Sequence, residues 1–560
     1  MFTSRLNAIG LIFFTLSWLN YDHYRPWLNF HAEAFAIFGL SCLALSLLFR
    51  SGNAFKAPKV SKWIAFVAVV PWIQYFSGIS LFAGDALISG MYLLVLSCAV
   101  WVGFQIALTA NNSEESKVAG LMHSLWVAAG VSAAIGLAQW FNVQEPVGMY
   151  VVQSDIGDRA MGNLGQPNQL ATFLLMGMVA FAWVFERKLI GRVAFGLGIG
   201  FMTLVLVMAY SRAGMIGVLL VAGFFLWKKR RLHSRIGWLP IVAWVGLYVA
   251  GTIALPPISE MLLMSDNQSF SRPEAVGQRV MMWKQVGYAI WQAPWFGYGW
   301  NQTPTAQAAG AVAYPYSVTY TNAHSFVMDM LAWNGLPLGL LLVGVIAWWF
   351  LSRLWACTSR DSVFAMAALL PFAMHSMVEY PFAYAYFLVA AGLFVGVVEV
   401  GHSGAKPVSF RRNWVLPIVI VWAGIGSYVV YEYLLVEEDF QVTRYENLKI
   451  GQTAAGYQPP NVWMLSHMGT MLKAARMKAH PGMSATEIET LRTVSSRFAY
   501  GAVRFRYAQA LALNGDPKGA VNQLAIIHGM YGQQYHAACL AELQLLANTQ
   551  YPQLAAILKR

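Results

Sequence analysis

The chain has 560 residues, of which 58% are hydrophobic and 11% charged, with a formal net charge of +12. Soluble domains carry about 25% charged residues, so this composition excludes a soluble globular enzyme and points to a protein built mostly of membrane helices. The positive balance does not indicate a nucleic-acid partner, because Lys and Arg gather in short loops between apolar stretches, as the positive-inside rule requires.

A spanning helix needs about 20 mostly apolar residues. About thirteen stretches qualify, near 6–20, 33–49, 63–79, 86–108, 118–141, 169–185, 193–210, 213–227, 236–255, 336–352, 362–378, 383–398 and 414–435. The first has the basic start and apolar run of a signal peptide but no convincing small-residue cleavage site, so it is expected to remain as a membrane helix. With the N-terminus cytoplasmic, the inside loops hold KAPKVSK (56–62), ERKLIGR (186–192), KKRRLHSR (228–235), Arg353, Arg360, Lys406, Arg411 and Arg412. Outside loops are nearly free of Lys and Arg apart from Arg25, Arg159, Arg212, Arg272, Arg279 and Lys284. An odd number of spans places the loop 142–168, the stretch 277–337 and the tail beyond about 436 on the far side, which in a bacterium is the periplasm. The expected fold is an all-α polytopic membrane protein. Its membrane domain, 1–435, includes a periplasmic loop at 256–335, and residues 436–560 form a helical periplasmic domain.

The polar motifs cluster at outer segment ends. GNLGQPNQLATF (162–173) places Gln166, Asn168 and Gln169 just before a span. They suit a helix stop and cap, and neutral amides equally suit sugar hydroxyls; both readings stay open. Arg212, in AYSRAG, is either an interfacial arginine reaching for headgroups or a planar fork for phosphate oxygens. Its violation of the positive-inside pattern favours phosphate. Arg279 begins R-x-x-x-W, with Trp283 one helical turn on and Lys284 beside it. Two outside arginines suggest a shared anionic ligand such as a lipid-linked diphosphate, although Arg279 alone also suits a surface or capping role.

His324 follows Asn322 where a loop meets an apolar segment, with Asp329 close by. A lone histidine is more often merely hydrogen-bonded, but an imidazole here can take or orient a hydroxyl proton. HSMVEYPFAYAYF (375–387) sets Glu379 and Tyr380 at another outer edge, where a carboxylate can pair with an arginine or orient His324. The outer acids, Asp155, Asp158, Asp266 and Glu274, are scattered, and the four cysteines at 42, 98, 357 and 539 show no metal spacing or disulfide framework. No metal and no cofactor are therefore expected, and the arginines would neutralise a departing diphosphate.

The tail is more polar. YAQALALNGDPKGAVNQLAIIHGMYGQQYHAACLAELQLLA (507–547) reads as paired amphipathic helices broken at 514–517, similar to a tetratricopeptide-type hairpin, with a degenerate unit at 461–502.

These motifs resemble the O-antigen ligase and polymerase superfamily, and within it the bacterial O-oligosaccharyltransferases that glycosylate pilin-like proteins. The likeness covers most of 130–400, through GQPNQLATF (165–173), SRAG (211–214), R-x-x-x-W (279–283), PWFGYGWNQ (294–302), NAHSFVMDMLAWNGLPLG (322–339) and HSMVEYPFAYAYF (375–387). It implies transfer of a glycan from an undecaprenyl diphosphate carrier to Ser or Thr hydroxyls of an exported, pilin-like protein, in the periplasm, without a metal. In that family Arg212 and Arg279 match arginines that grip the diphosphate, His324 matches a histidine beside the reaction centre, and Gln166 and Tyr380 match positions tied to activity. An O-antigen ligase and a polymerase share the arginines and histidine but account less well for GQPNQ, EYPFAYAYF and the tail. A flippase of lipid-linked glycans should show repeated halves or mid-membrane polar residues, and neither is visible.

Overall fold

The computed structural model describes residues 2–50, 54–110, 118–155, 159–232, 234–262, 273–315, 318–400, 402 and 408–558; Asp158, Asp266, Arg272 and Lys406 lie outside them. Apart from an antiparallel ribbon pairing Ala54–Ala57 with Val408–Arg411, the described secondary structure is helical.

Eight of the described helices are long and apolar enough to cross a membrane, and Phe2–Leu16, Arg192–Met208 and Ala385–Val400 are apolar but shorter. Two other expected spans fall short for local reasons. The stretch 63–79 is broken into Lys59–Val67 and Val70–Phe76, with Pro71 opening the second helix. The helix Arg212–Leu232 carries the basic run 228–231 at its end.

The chain divides into two compact units. The first holds Met1–Val67, Tyr92–Arg272 and Ala347–Val421. Its centre is the helix Pro167–Glu186, buried on all sides from Gln169 onward and packed among Ala119–Trp140, Arg192–Met208, Arg212–Leu232 and Arg360–Val378. A helix apolar all round belongs in such a position. Small residues set the closest approaches: a Cβ on Gly103 would lie 2.0 Å from the Leu393 carbonyl oxygen, and one on Gly396 would lie 2.2 Å from that of Val100. Such contacts suit membrane helices, which associate by packing rather than by hydrophobic exclusion. One end of this unit gathers the basic loops, where Arg187 pairs with Asp361 at 2.7 Å and Arg353 with buried Glu399 at 2.6 Å.

The second unit holds Ala68–Met91, Pro273–Ile346 and Trp422–Arg560. Arg412–Leu448 is one helix of 37 residues, running without a break through position 436. Beyond it, Ser466–Arg476 and Ala485–Arg497 form one helix pair, and Gly501–Leu513 and Pro517–Thr549 a second. The second turn is where the sequence places it: Gly515 takes φ +94°, Asp516 caps the Gly519 N–H at 2.8 Å, and Pro517 opens the helix. Pro517–Thr549 bends sharply at Gly532, and Phe505, Leu511, Leu524, Ile527, Cys539 and Leu543 fill the core between its arms and Gly501–Leu513.

Candidate active site

The expected site residues fall into two groups, one in each unit. In the first unit they surround the N-terminus of the central helix. Gln166 is extended, at φ −150° and ψ 118°, and its side-chain oxygen accepts the Gln169 N–H at 2.6 Å, with Pro167 at the first helical position. This oxygen therefore serves the helix as a cap. The Asn168 oxygen accepts from Ser211 Oγ at 2.9 Å and from Arg159 Nη2 at 3.2 Å, while Arg159 Nε donates to the Ala209 carbonyl at 2.8 Å. Buried Gln169 accepts from the Tyr386 hydroxyl at 2.8 Å. Tyr386 stacks on Tyr384, and Tyr384 on Tyr380, with centroids 5.5 and 5.8 Å apart.

Arg212 follows directly. Tyr210 takes φ +43°, and Ser211 Oγ accepts the Gly214 N–H at 3.0 Å, so the chain reverses and a new helix starts with Arg212 exposed on its first residue. Glu379 is 5% exposed, and its N–H closes the preceding helix on the His375 carbonyl at 2.8 Å. Hydrogen bonds and ring stacking thus bring Gln166, Asn168, Gln169, Tyr380 and the Arg212 turn together.

In the second unit the helix Pro273–Gln292 carries Arg279 half-buried, and Trp283 on the same face donates Nε1 to the Ala323 carbonyl at 2.8 Å. Lys284 is exposed, five positions after Arg279 and so off its face. His324 is half-buried, with φ +48° and its ring edge-on to Tyr320 at 5.3 Å. The peptide before it is fixed by Asp329, whose Oδ1 accepts the Ala323 N–H at 2.9 Å and the Thr303 hydroxyl at 2.7 Å. Among the described residues, buried Asn322 Nδ2 and Asp329 Oδ2 make no hydrogen bond of good geometry, although the Asn322 amide lies close enough to act on the Asp329 carboxylate. Such atoms are costly when left dry, and they offer a donor and an acceptor to a substrate hydroxyl.

The aromatic turn at 294–302 completes this frame. Gly297 and Gly335, at φ +69° and +72°, lie against each other so closely that a Cβ on Gly297 would meet the Gly335 nitrogen at 2.6 Å. Tyr298 and Gly299 donate N–H bonds to Ala332 and Trp333, and Gln74 joins the same turn by accepting from the Trp300 N–H at 2.8 Å and donating to the Trp333 carbonyl at 2.9 Å.

Sequence reasoning missed Gln74, which looks like an ordinary polar residue beside an apolar segment. It also missed Glu33, a buried carboxylate that accepts from Trp27 Nε1 at 3.0 Å and from the Tyr92 hydroxyl, and faces the Ala385 N–H at the start of Ala385–Val400. An acid at the end of an apolar run was the available signal. Arg159 stood out as an outside arginine, but its bond to Asn168 did not.

Comparison with known proteins covers both groups. Residues 160–185 match a protein glycosylation ligase model, residues 197–343 an O-antigen ligase model, and residues 363–545 a model of the C-terminal part of a virulence factor membrane-bound polymerase. The last match reaches well into the tail, beyond the motifs that carry the resemblance in the sequence. A general O-oligosaccharyltransferase of Acinetobacter baylyi is 25% identical over 552 residues, covering 95% of this chain and 93% of the relative. A ComP-specific O-oligosaccharyltransferase of the same organism is 26% identical over 408 residues, covering 71% and 72%. The motifs, the helical membrane fold and these matches agree: the chain resembles the O-antigen ligase family, and it is similar over nearly its whole length to an O-oligosaccharyltransferase.

Proposed function

We propose that this glycosyltransferase moves a preassembled glycan from an undecaprenyl diphosphate carrier to Ser or Thr hydroxyls of exported, pilin-like proteins, at the periplasmic face of a bacterial inner membrane. The observation that carries the reading is the similarity to a general O-oligosaccharyltransferase over 95% of the chain, which includes the tail. The finer architecture belongs to the same proposal. Thirteen membrane passes would bring the loop 256–335 and a tetratricopeptide-like domain, 436–560, to the periplasm, and surrounding membrane lipids would cover the apolar helix faces.

In the reaction the acceptor hydroxyl oxygen attacks the anomeric carbon, the bond from that carbon to the diphosphate oxygen breaks, and the hydroxyl proton passes to the His324 imidazole. A single displacement inverts the anomeric configuration. Arg212 and Arg279 hold the charge that grows on the leaving diphosphate, which replaces a metal in this role, and fixed charge placed there is often the largest catalytic contribution. Gln166, Asn168, Gln169, Asn322, Glu379, Tyr380 and Lys284 contribute to substrate binding. Asn322 is the best supported of these because its amide is buried beside the Asp329 carboxylate and near His324 in the chain.

The test supplies purified protein in detergent with lipid-linked oligosaccharide, chelator, and either a pilin-like protein or lipid A core. A mass gain of one glycan on the protein supports the proposal. Transfer only to lipid A core would make the chain a ligase, and transfer only to another lipid-linked repeat a polymerase.

A further inference from the structure

Asp85 and Arg497 form an enclosed ion pair within the second unit. Arg497 Nε and Nη2 each donate at 2.8 Å to one oxygen of Asp85, and the two residues are 9% and 2% exposed. Asp85 lies in the first turn of Ala83–Ala110 and Arg497 ends Ala485–Arg497, so each charge also meets the favourable end of its own helix dipole. A buried ion pair often adds no more stability than an apolar contact of the same size. Holding a geometry is therefore the better physical account of it.

What it holds can be followed bond by bond. Gln302 Nε2 reaches Asp85 Oδ2 at 3.4 Å, and Gln302 immediately precedes the helix Thr303–Ala311. Thr303 Oγ1 donates at 2.7 Å to Asp329 Oδ1, the same oxygen that accepts the N–H of Ala323, the residue before His324. All the side chains on this route are buried. A second tie joins the same segments, because Thr305 Oγ1 donates to the Ser496 carbonyl at 3.0 Å.

We propose that Asp85 and Arg497 are positioning residues for glycan transfer. Clasped by Asp85, Arg497 of the tail fixes Gln302 and Thr303, and through Asp329 it fixes the peptide that aims His324. The inference rests on the reading of His324 as the group at the acceptor hydroxyl, and it makes the tail part of the support of the reaction centre.

The experiment uses the full-length protein and the transfer assay above, with Arg497→Lys and the double variant Asp85→Asn/Arg497→Gln, each made in wild-type and His324→Ala backgrounds. The double variant leaves no bare charge buried, and Lys keeps the charge but cannot span both carboxylate oxygens. Hydrogen exchange of residues 318–329 reports the loop independently of activity. The double variant should lose about 10-fold to 100-fold in kcat, the scale of a misplacement of around an ångström, with donor affinity kept and exchange in 318–329 raised. Arg497→Lys should fall between it and wild type. In the His324→Ala background the same substitutions should change kcat little, since groups acting through one another are not additive. Normal kcat with unchanged exchange overturns the proposal, as do equal losses in both backgrounds. If His324→Ala transfers at the wild-type rate, the reading of His324 fails, and the exchange data alone then decide whether the clasp holds the loop.

Discussion

The two groups of site residues are built in different ways. In the first unit the frame around Asn168 and Gln169 is mostly neutral: amide oxygens accept from Ser211 and Tyr386, and Arg159 Nη2 adds a charged donor to Asn168 at 3.2 Å. In the second unit the loop of His324 hangs on carboxylates, with Asp329 at its centre and the Asp85–Arg497 pair behind it. Neutral bonds are each modest and replaceable, whereas a buried carboxylate must keep its donors. The second frame should therefore be the more brittle.

Asp329→Ala gives the strongest break. It strips the Ala323 N–H and the Thr303 hydroxyl of a buried acceptor, so thermal or denaturant unfolding should register a loss of about 2–5 kcal/mol, and turnover should fall with it. A loss no greater than that of a first-unit substitution would erase the contrast.

The second unit should also be the acid-sensitive one. Burial pushes the His467 imidazole down to about 4, with Asp85 opposing and Arg497 assisting the shift. Its folded-state value lies below that of the unfolded chain, so its neutral form stabilises the fold above about pH 6.5. That contribution is lost as pH falls toward 4, by roughly 3 kcal/mol. His467→Phe should flatten this part of the stability profile; an unchanged slope would place the acid sensitivity elsewhere.

Arg279→Lys sharpens the comparison without touching either frame. Transfer should fall about 10-fold to 100-fold, the worth of a charged hydrogen bond lost when a fork becomes a point charge, with the melting temperature kept. Near-normal transfer would count against a bidentate grip on diphosphate. The smallest effect belongs to the neutral frame: Tyr386→Phe removes one bond to Gln169 and should cost about 1 kcal/mol, read as a small drop in melting temperature.

Much of this organisation was legible in the chain. Apolar length marked the helices, and Asn514-Gly515-Asp516-Pro517 marked the turn in the tail because cap and breaker residues act locally. Arg279 and Trp283 share a face by simple helical spacing. The expected span 63–79 fails at its internal Pro71, a breaker that an average over apolar residues hides. Long-range pairings were not legible: Tyr386 meets Gln169 across 217 positions and Arg497 meets Asp85 across 412. Periodicity records which face of a helix is buried and says nothing about which distant side chain it meets. The αL backbone of His324 was equally hidden, since it is imposed by Asp329 and Trp283 rather than by a glycine at that position.

The central claim is that this second frame exists to hold His324 at the chemistry. Turnover of His324→Gln, measured at saturating lipid-linked donor beside a direct donor-binding measurement, tests it most directly, because glutamine keeps a hydrogen-bond donor but cannot take a proton. The account predicts a loss of about 100-fold to 10,000-fold in turnover, with donor affinity retained. Turnover near wild type in His324→Gln would contradict it and leave the arginines to carry the reaction.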